Sequence, residues 1–112
     1  MAIISVGSGS HTPADLDTEE TLDTETASGT YLFKIDCSDM ETADIITLKI
    51  YSKARTGDTE RIEDIFTISY EVAQATPLIK SIPVVTDCYF KITLEQTDGA
   101  VRDFPWTLLK IY

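Results

Sequence analysis

Basic residues are scarce: nine Lys and Arg stand against 19 Asp and Glu in 112 positions, a net charge of −10. Phosphate backbones are bound through clustered Lys and Arg, so nucleic acid is not an expected partner. An anionic membrane surface is disfavoured for the same reason. No apolar run approaches the ~20 residues that span a bilayer. Met1 to Val6 is too short, and lacks the basic flank, for a signal peptide. There is one histidine, and the two cysteines, Cys37 and Cys88, lack C-x-x-C spacing, so no zinc site is expected. Without a secretory signal the thiols are expected to be reduced and packed as small apolar groups. No P-loop and no Gly-rich dinucleotide motif is present, so no cofactor is expected. His11 lies in a Gly/Ser-rich stretch, a poor platform for a general base. With no catalytic constellation in view, the chain is not expected to be an enzyme.

What is present is uneven. Residues 1–33 hold Asp15, Asp17, Glu19, Glu20, Asp23 and Glu25 and no Lys or Arg, whereas the rest carries both signs. Gly7-Ser8-Gly9-Ser10-His11-Thr12-Pro13 has linker composition. Residues 1–15 therefore read as a flexible N-terminal arm, and residues 16–112 as the folded domain. The arm has an apolar, β-prone tip in which Ile3, Ile4 and Val6 are candidates for partner binding. Such a tip either frays or pairs with a sheet edge, its own or a neighbour's. The run Asp15-x-Asp17-x-Glu19-Glu20 has the look of a calcium loop, but Glu20 and Thr26 stand where that loop needs Gly and Glu. A solvated acidic face is the better reading, and no metal ligands are assigned.

From residue 17 onward the period is two. Tyr31, Phe33 and Ile35 alternate with Leu32, Lys34 and Asp36, and Ile46, Leu48 and Ile50 with Thr47, Lys49 and Tyr51. The same holds for Phe66, Ile68, Tyr70 and Val72, for Phe90, Ile92 and Leu94, and for Phe104, Trp106 and Leu108. Strict alternation marks strands with one face on a core and one in water. Leu22 and Ile79 complete the expected inner face. Ser28-Gly29, Thr56-Gly57-Asp58, Thr76-Pro77 and Ile82-Pro83 punctuate the runs, and the two prolines bracket a short edge strand. Asp98-Gly99 reads as a hairpin turn. Ser38-Asp39-Met40-Glu41 has capping-box form and predicts one helical turn at most.

Seven or eight short strands at this spacing predict an all-β fold, an antiparallel β-sandwich. The single Trp106 follows both cysteines, unlike the immunoglobulin pattern, so a jelly-roll-like sandwich is preferred and an immunoglobulin-like one is the alternative. Tyr51 and Tyr89, with Arg55 in the loop Arg55-Thr-Gly-Asp-Thr-Glu60, are candidates for contact with a sugar or a partner; cross-strand packing explains the tyrosines equally well.

The stretch Ala27-Ser-Gly-Thr-Tyr-Leu-Phe-Lys-Ile-Asp36, then Met40, Ala43-Asp44 and Leu48-Lys-Ile-Tyr-Ser-Lys53, resembles small virion-associated proteins of tailed bacteriophages. So does Leu94-Glu-Gln-Thr-Asp-Gly99 followed by Arg102-Asp-Phe-Pro-Trp106. The resemblance covers about residues 17–112 and is one of strand rhythm. It implies a structural role: a decoration or cement protein on the virion capsid surface, made in the host cytoplasm. The implied partners are the major capsid protein or other virion proteins. A homo-oligomer is also implied, with a trimer the favoured form. The alternative is a carbohydrate- or receptor-binding module of a fibre or tail.

Overall fold

Burial alternates through the domain as the sequence predicts. In β4 (Ile45–Ser52), Ile46, Leu48, Ile50 and Ser52 are buried, while Thr47, Lys49 and Tyr51 are partly exposed. β3 (Gly29–Asp36) does the same with Tyr31, Phe33 and Ile35. The remaining elements are β1 (Ile3–His11), β2 (Glu20–Glu25), β5 (Arg61–Ser69), α1 (Tyr70–Ala75), β6 (Leu78–Lys80), β7 (Val84–Thr86), β8 (Phe90–Asp98) and β9 (Phe104–Ile111). The structure is a computed structural model that describes residues 2–112; Met1, the first residue of the expected arm, lies outside them.

All the strands pair antiparallel, in two sheets. One sheet runs β1-β9-β3-β6, with β7 also on β3; the other runs β2-β8-β4-β5. β6 and β7 lie along the same edge of β3, opposite Lys34–Asp36 and Gly29–Tyr31 respectively. Pro83 separates them, because it cannot donate to a ladder. The all-β reading thus holds. Of the residues in the alternating runs, all but Val72, which is 50% exposed, are in the core or pack against it, as do Leu22 and Ile79. Tyr31 stacks on Phe90 with centroids 5.0 Å apart, and Phe33 on Trp106 at 6.0 Å. Burying such side chains, at about 1.5–3 kcal/mol each, is what holds the two sheets together.

Three expectations are corrected. The first is the arm. Ile3–His11 of the expected arm 1–15 form a strand in register with β9, from Ile3 opposite Ile111 to His11 opposite Phe104, with a bulge between Ser5 and Gly7. The glycines act there as strand positions without side chains. The Trp106 indole lies 3.5 Å from where a Cβ would stand at either Gly7 or Gly9, and a Cβ at Gly7 would collide with the Asp23 carboxylate. Ladder hydrogen bonds and the indole contact offset the ordering entropy that free Gly/Ser chain would keep.

The second is the run Phe66–Val72. The strand ends at Ser69, and Tyr70 and Val72 belong to α1. Tyr70-Glu-Val-Ala-Gln-Ala75 contains good helix formers, begins after Ser69 and ends before Pro77. Ser38–Glu41, by contrast, forms turns rather than a helical turn. The third is Asp98-Gly99. It turns, with Gly99 at φ 85°, but makes no hairpin, since β8 pairs with β2 and β4 while β9 pairs with β1 and β3. The chain arches from one sheet to the other.

Candidate interaction surfaces

The arch is held by a buried polar cluster. Asp44 is fully buried. Its carboxylate accepts from Glu41 N at 2.8 Å, Ala100 N at 3.1 Å and Arg102 Nε at 2.6 Å. Burial opposes its charge, but the Glu41 N–H, the Arg102 guanidinium and the Ala100 N–H together hold it below the ordinary aspartate value. Buried Gln96 completes the knot: its amide donates to Asp98 O and Ala100 O, and its Oε1 accepts from Arg102 N. These groups satisfy one another and present nothing to a substrate. They fix the crossing between sheets.

The outer face of the β2-β8-β4-β5 sheet is a charged, aromatic network. It brings together Tyr51 and Tyr89, two of the residues singled out in the sequence. Lys91 Nζ sits 4.3 Å from the Tyr51 ring centroid and 2.6 Å from Glu60 Oε2. Tyr89 Oη donates to Glu60, and Lys53 lies over the Tyr89 ring. Tyr51 Oη and Thr93 Oγ1 donate to Glu19, which also pairs with Lys49 at 3.7 Å. The hydrogen bond to Glu19, burial, and the charges of Glu19, Glu60 and Glu95 push the Tyr51 phenol up to about 12. The Lys91 hydrogen bond leads in holding Glu60 below its ordinary value. Lys and Glu are thus consumed by internal pairing, and partly exposed pairs of this kind contribute little to stability. Arg55 is elsewhere, in the β4–β5 hairpin loop. Its exposed guanidinium pairs with Asp58 at 3.1 Å and not with the tyrosines.

The outer face of the other sheet differs. Ile3, Ile111, Thr30 and Val85 stand in one cross-strand row, and Ser5, Leu109 and Leu32 in the next. Ile3 is 63% exposed and Val85 74%. Further along, Lys34 stands directly opposite Lys80, with no carboxylate within ion-pair distance of either among the described residues. Beside them a depression of about 610 Å³ is lined by Phe66, Ile68, Val72, Leu78 and Ile79. Of the three candidates in the N-terminal tip, Ile3 and Ile4 are exposed, but Val6 packs against the core and is not free for a partner.

The other singled-out residues are placed as follows. His11 Nε2 lies 3.3 Å from Glu20 Oε1 across the open side between the sheets. Glu19 and Glu20, side by side in the acidic run, diverge: Glu19 goes to the outer network, Glu20 to His11 and the Ala14 N–H. Cys37 and Cys88 are free thiols, and burial pushes Cys37 up to about 12. Comparison of the chain with family models, with curated proteins and with solved structures gives no match.

Proposed function

We propose that this chain is a structural component of a tailed-bacteriophage particle, a capsid decoration protein that works by protein–protein contact and performs no chemistry. It is made in the host cytoplasm and resides on the capsid surface, bound to the major capsid protein or another virion protein, as a homo-oligomer. The observation that carries this reading is the division between the two outer faces. One is charged and internally paired; the other presents Ile3, Ile111, Val85, Leu109 and Leu32 with few charges, in a chain of net charge −10. Depletion of charge around exposed apolar residues is the compositional mark of an interface.

Topology supports it. β1 pairs with β9, β2 with β8, β3 with β6 and β7, and β4 with β5. Counting β6 and β7 as one interrupted strand, this is a single long hairpin, nested about the β4–β5 turn and rolled up so that β9 also meets β3 and β8 meets β4. This pairing supports the jelly-roll reading, an architecture used in viral capsids and in lectins. The placing of β1 and β2 in different sheets favours it over the immunoglobulin alternative, in which the first two strands share a sheet. A cement protein binds only the assembled lattice and stabilises it by mass action.

The test is mass spectrometry and cryo-microscopy of purified particles. The chain is expected in many copies on the outer surface of the head; its absence from particles, or a place only at the tail tip, overturns the reading. A second reading, a carbohydrate- or receptor-binding module, is favoured by the gathering of Tyr51 and Tyr89 with Glu19 and Glu60 on one face. It predicts glycan binding that is lost in Tyr51→Ala and Tyr89→Ala.

A further inference from the structure

A two-sheet sandwich has four free edges, and three of them here are guarded. β2 carries Glu20, Asp23 and Glu25. β5 carries Arg61, Glu63 and Asp64. β6 and β7 have three residues each and are interrupted by Pro83. Charge, shortness and proline are the ordinary devices that keep sheet edges from pairing with other chains. β1 is nine residues long and contains no Asp, Glu, Lys, Arg or Pro. It pairs with β9 on one side, and among the described residues no strand lies on the other. Its single guard is the bulge between Ser5 and Gly7, beyond which Gly7–His11 run in regular register. Ile3 and Ile4 at its start are 63% and 42% exposed.

We propose that the β1 edge is a self-association site: a second copy of this chain adds its own β1 antiparallel to this one. The two four-strand paths then join into one continuous sheet across a two-fold axis. Three observations select a second copy as the occupant. First, the chain carries net charge −10, so two copies repel through most of their surface, and β1 is the one long edge where they meet without opposed charges. Second, an antiparallel strand edge is self-complementary under a two-fold, which closes the assembly at two and leaves no further unguarded edge for growth. Third, antiparallel overlap lays the apolar tip of each copy beside the Gly9–His11 end of the other, where side chains are small and Ile3 and Ile4 find cover.

A nine-residue strand is roughly 30 Å long. One added strand pairing is at the low end of specific interfaces, so the dimer is expected to dissociate in roughly the micromolar range. The unit is then a two-fold dimer rather than the trimer expected from the sequence, and the pairing stands whether or not the chain is a virion component.

Sedimentation velocity of the full chain from about 1 to 500 μM tests it. A monomer–dimer equilibrium is expected. Ser8→Glu, at an exposed β1 position, should weaken dimerisation at least about tenfold, while Thr67→Glu on the exposed face of β5 should leave it unchanged. Circular dichroism establishes that both variants fold. Should Ser8→Glu not fold, hydrogen exchange on the unaltered chain decides: β1 amides facing away from β9 gain protection as concentration rises. A chain that stays monomeric throughout, a dimer indifferent to Ser8→Glu, or β1 protection independent of concentration each overturns the proposal.

Discussion

Replacing Asp44 by Ala removes the acceptor that holds the β8–β9 arch. Three donors lose their partner: Glu41 N–H, Ala100 N–H and Arg102 Nε. Hydrogen bonds to a charged group are worth about 1.5–3 kcal/mol each, which sets an upper range of ~5–9 kcal/mol. That limit is not reached, because the Arg102 side chain is 25% exposed and Glu41 and Ala100 are at the surface, so water recovers part of each bond. Removing one partner of a fully buried pair costs about 3–5 kcal/mol, and partial rehydration puts Asp44→Ala near the bottom of that range, about 3 kcal/mol. Ala43, held at φ 77° just before it, loses its anchor as well. A domain of this size has about 5–15 kcal/mol to lose. Thermal unfolding followed by circular dichroism should show Tm lowered by about 10–20 °C. A double-mutant cycle with Arg102→Ala should give a coupling of at least about 1 kcal/mol. A fall of under about 3 °C, or additive single variants, would refute the idea that this carboxylate fixes the arch.

Acid should destabilise the fold. The carboxyls of Asp44, Glu19, Asp36 and Glu60 are held below their ordinary values, so the stability they contribute is full above about pH 5 and is lost as pH falls through their folded values. Glu25, raised by burial and by Asp23, acts in the opposite sense, favouring the fold when protonated, and is outnumbered. The urea midpoint should therefore drop between pH 7 and pH 3; an unchanged or higher midpoint contradicts this. At β1, Gly7→Ala should cost more than Gly9→Ala, because the Asp23 carboxylate has to move aside for the new Cβ, whereas Gly9→Ala, with ordinary contact to the indole, should stay within about 0.5 kcal/mol. Equal melting temperatures for the two would show that the glycines are not placed as described. Under native conditions a thiol reagent should label half-buried Cys88 promptly and buried Cys37 only on unfolding, as read by intact mass. Prompt double labelling would contradict the packing of Cys37.

Side-chain period carried most of the fold. Tyr31 to Ile35, Ile46 to Ile50 and Phe90 to Leu94 each state which face is inside, because a strand in a sandwich has only two. Pairing was less legible. Asp98-Gly99 states that the chain reverses, and nothing local states in which sheet it lands; that is decided by Asp44 and Arg102, 58 positions apart. The Gly/Ser stretch of β1 misled for a chemical reason. A strand that must leave room for an indole and a flexible linker both call for residues without bulk. The lone Trp106, alternating in phase with Phe104 and Leu108, was the signal that a neighbouring strand had to be small. The outer network of Tyr51, Tyr89 and Lys91 was half legible: the tyrosines stood out, but their common link, Glu60, lies in the loop before β5. The arch residues gave no sign, since buried polar residues look like surface ones until their partners are in place.

The nested pairing also sets a timetable. Among the described strands β1 is made before all the others, and its ladder partner β9 after them. At ribosomal speeds of roughly 5–20 residues per second, β1 waits about 5–20 s for that partner. For that interval an uncharged, Ile-tipped strand is in the cell without its ladder, in the company of identical nascent chains. The strand that keeps one edge free in the single folded chain is thus open on both sides during synthesis, and crowded expression should send part of the product into aggregates nucleated at β1.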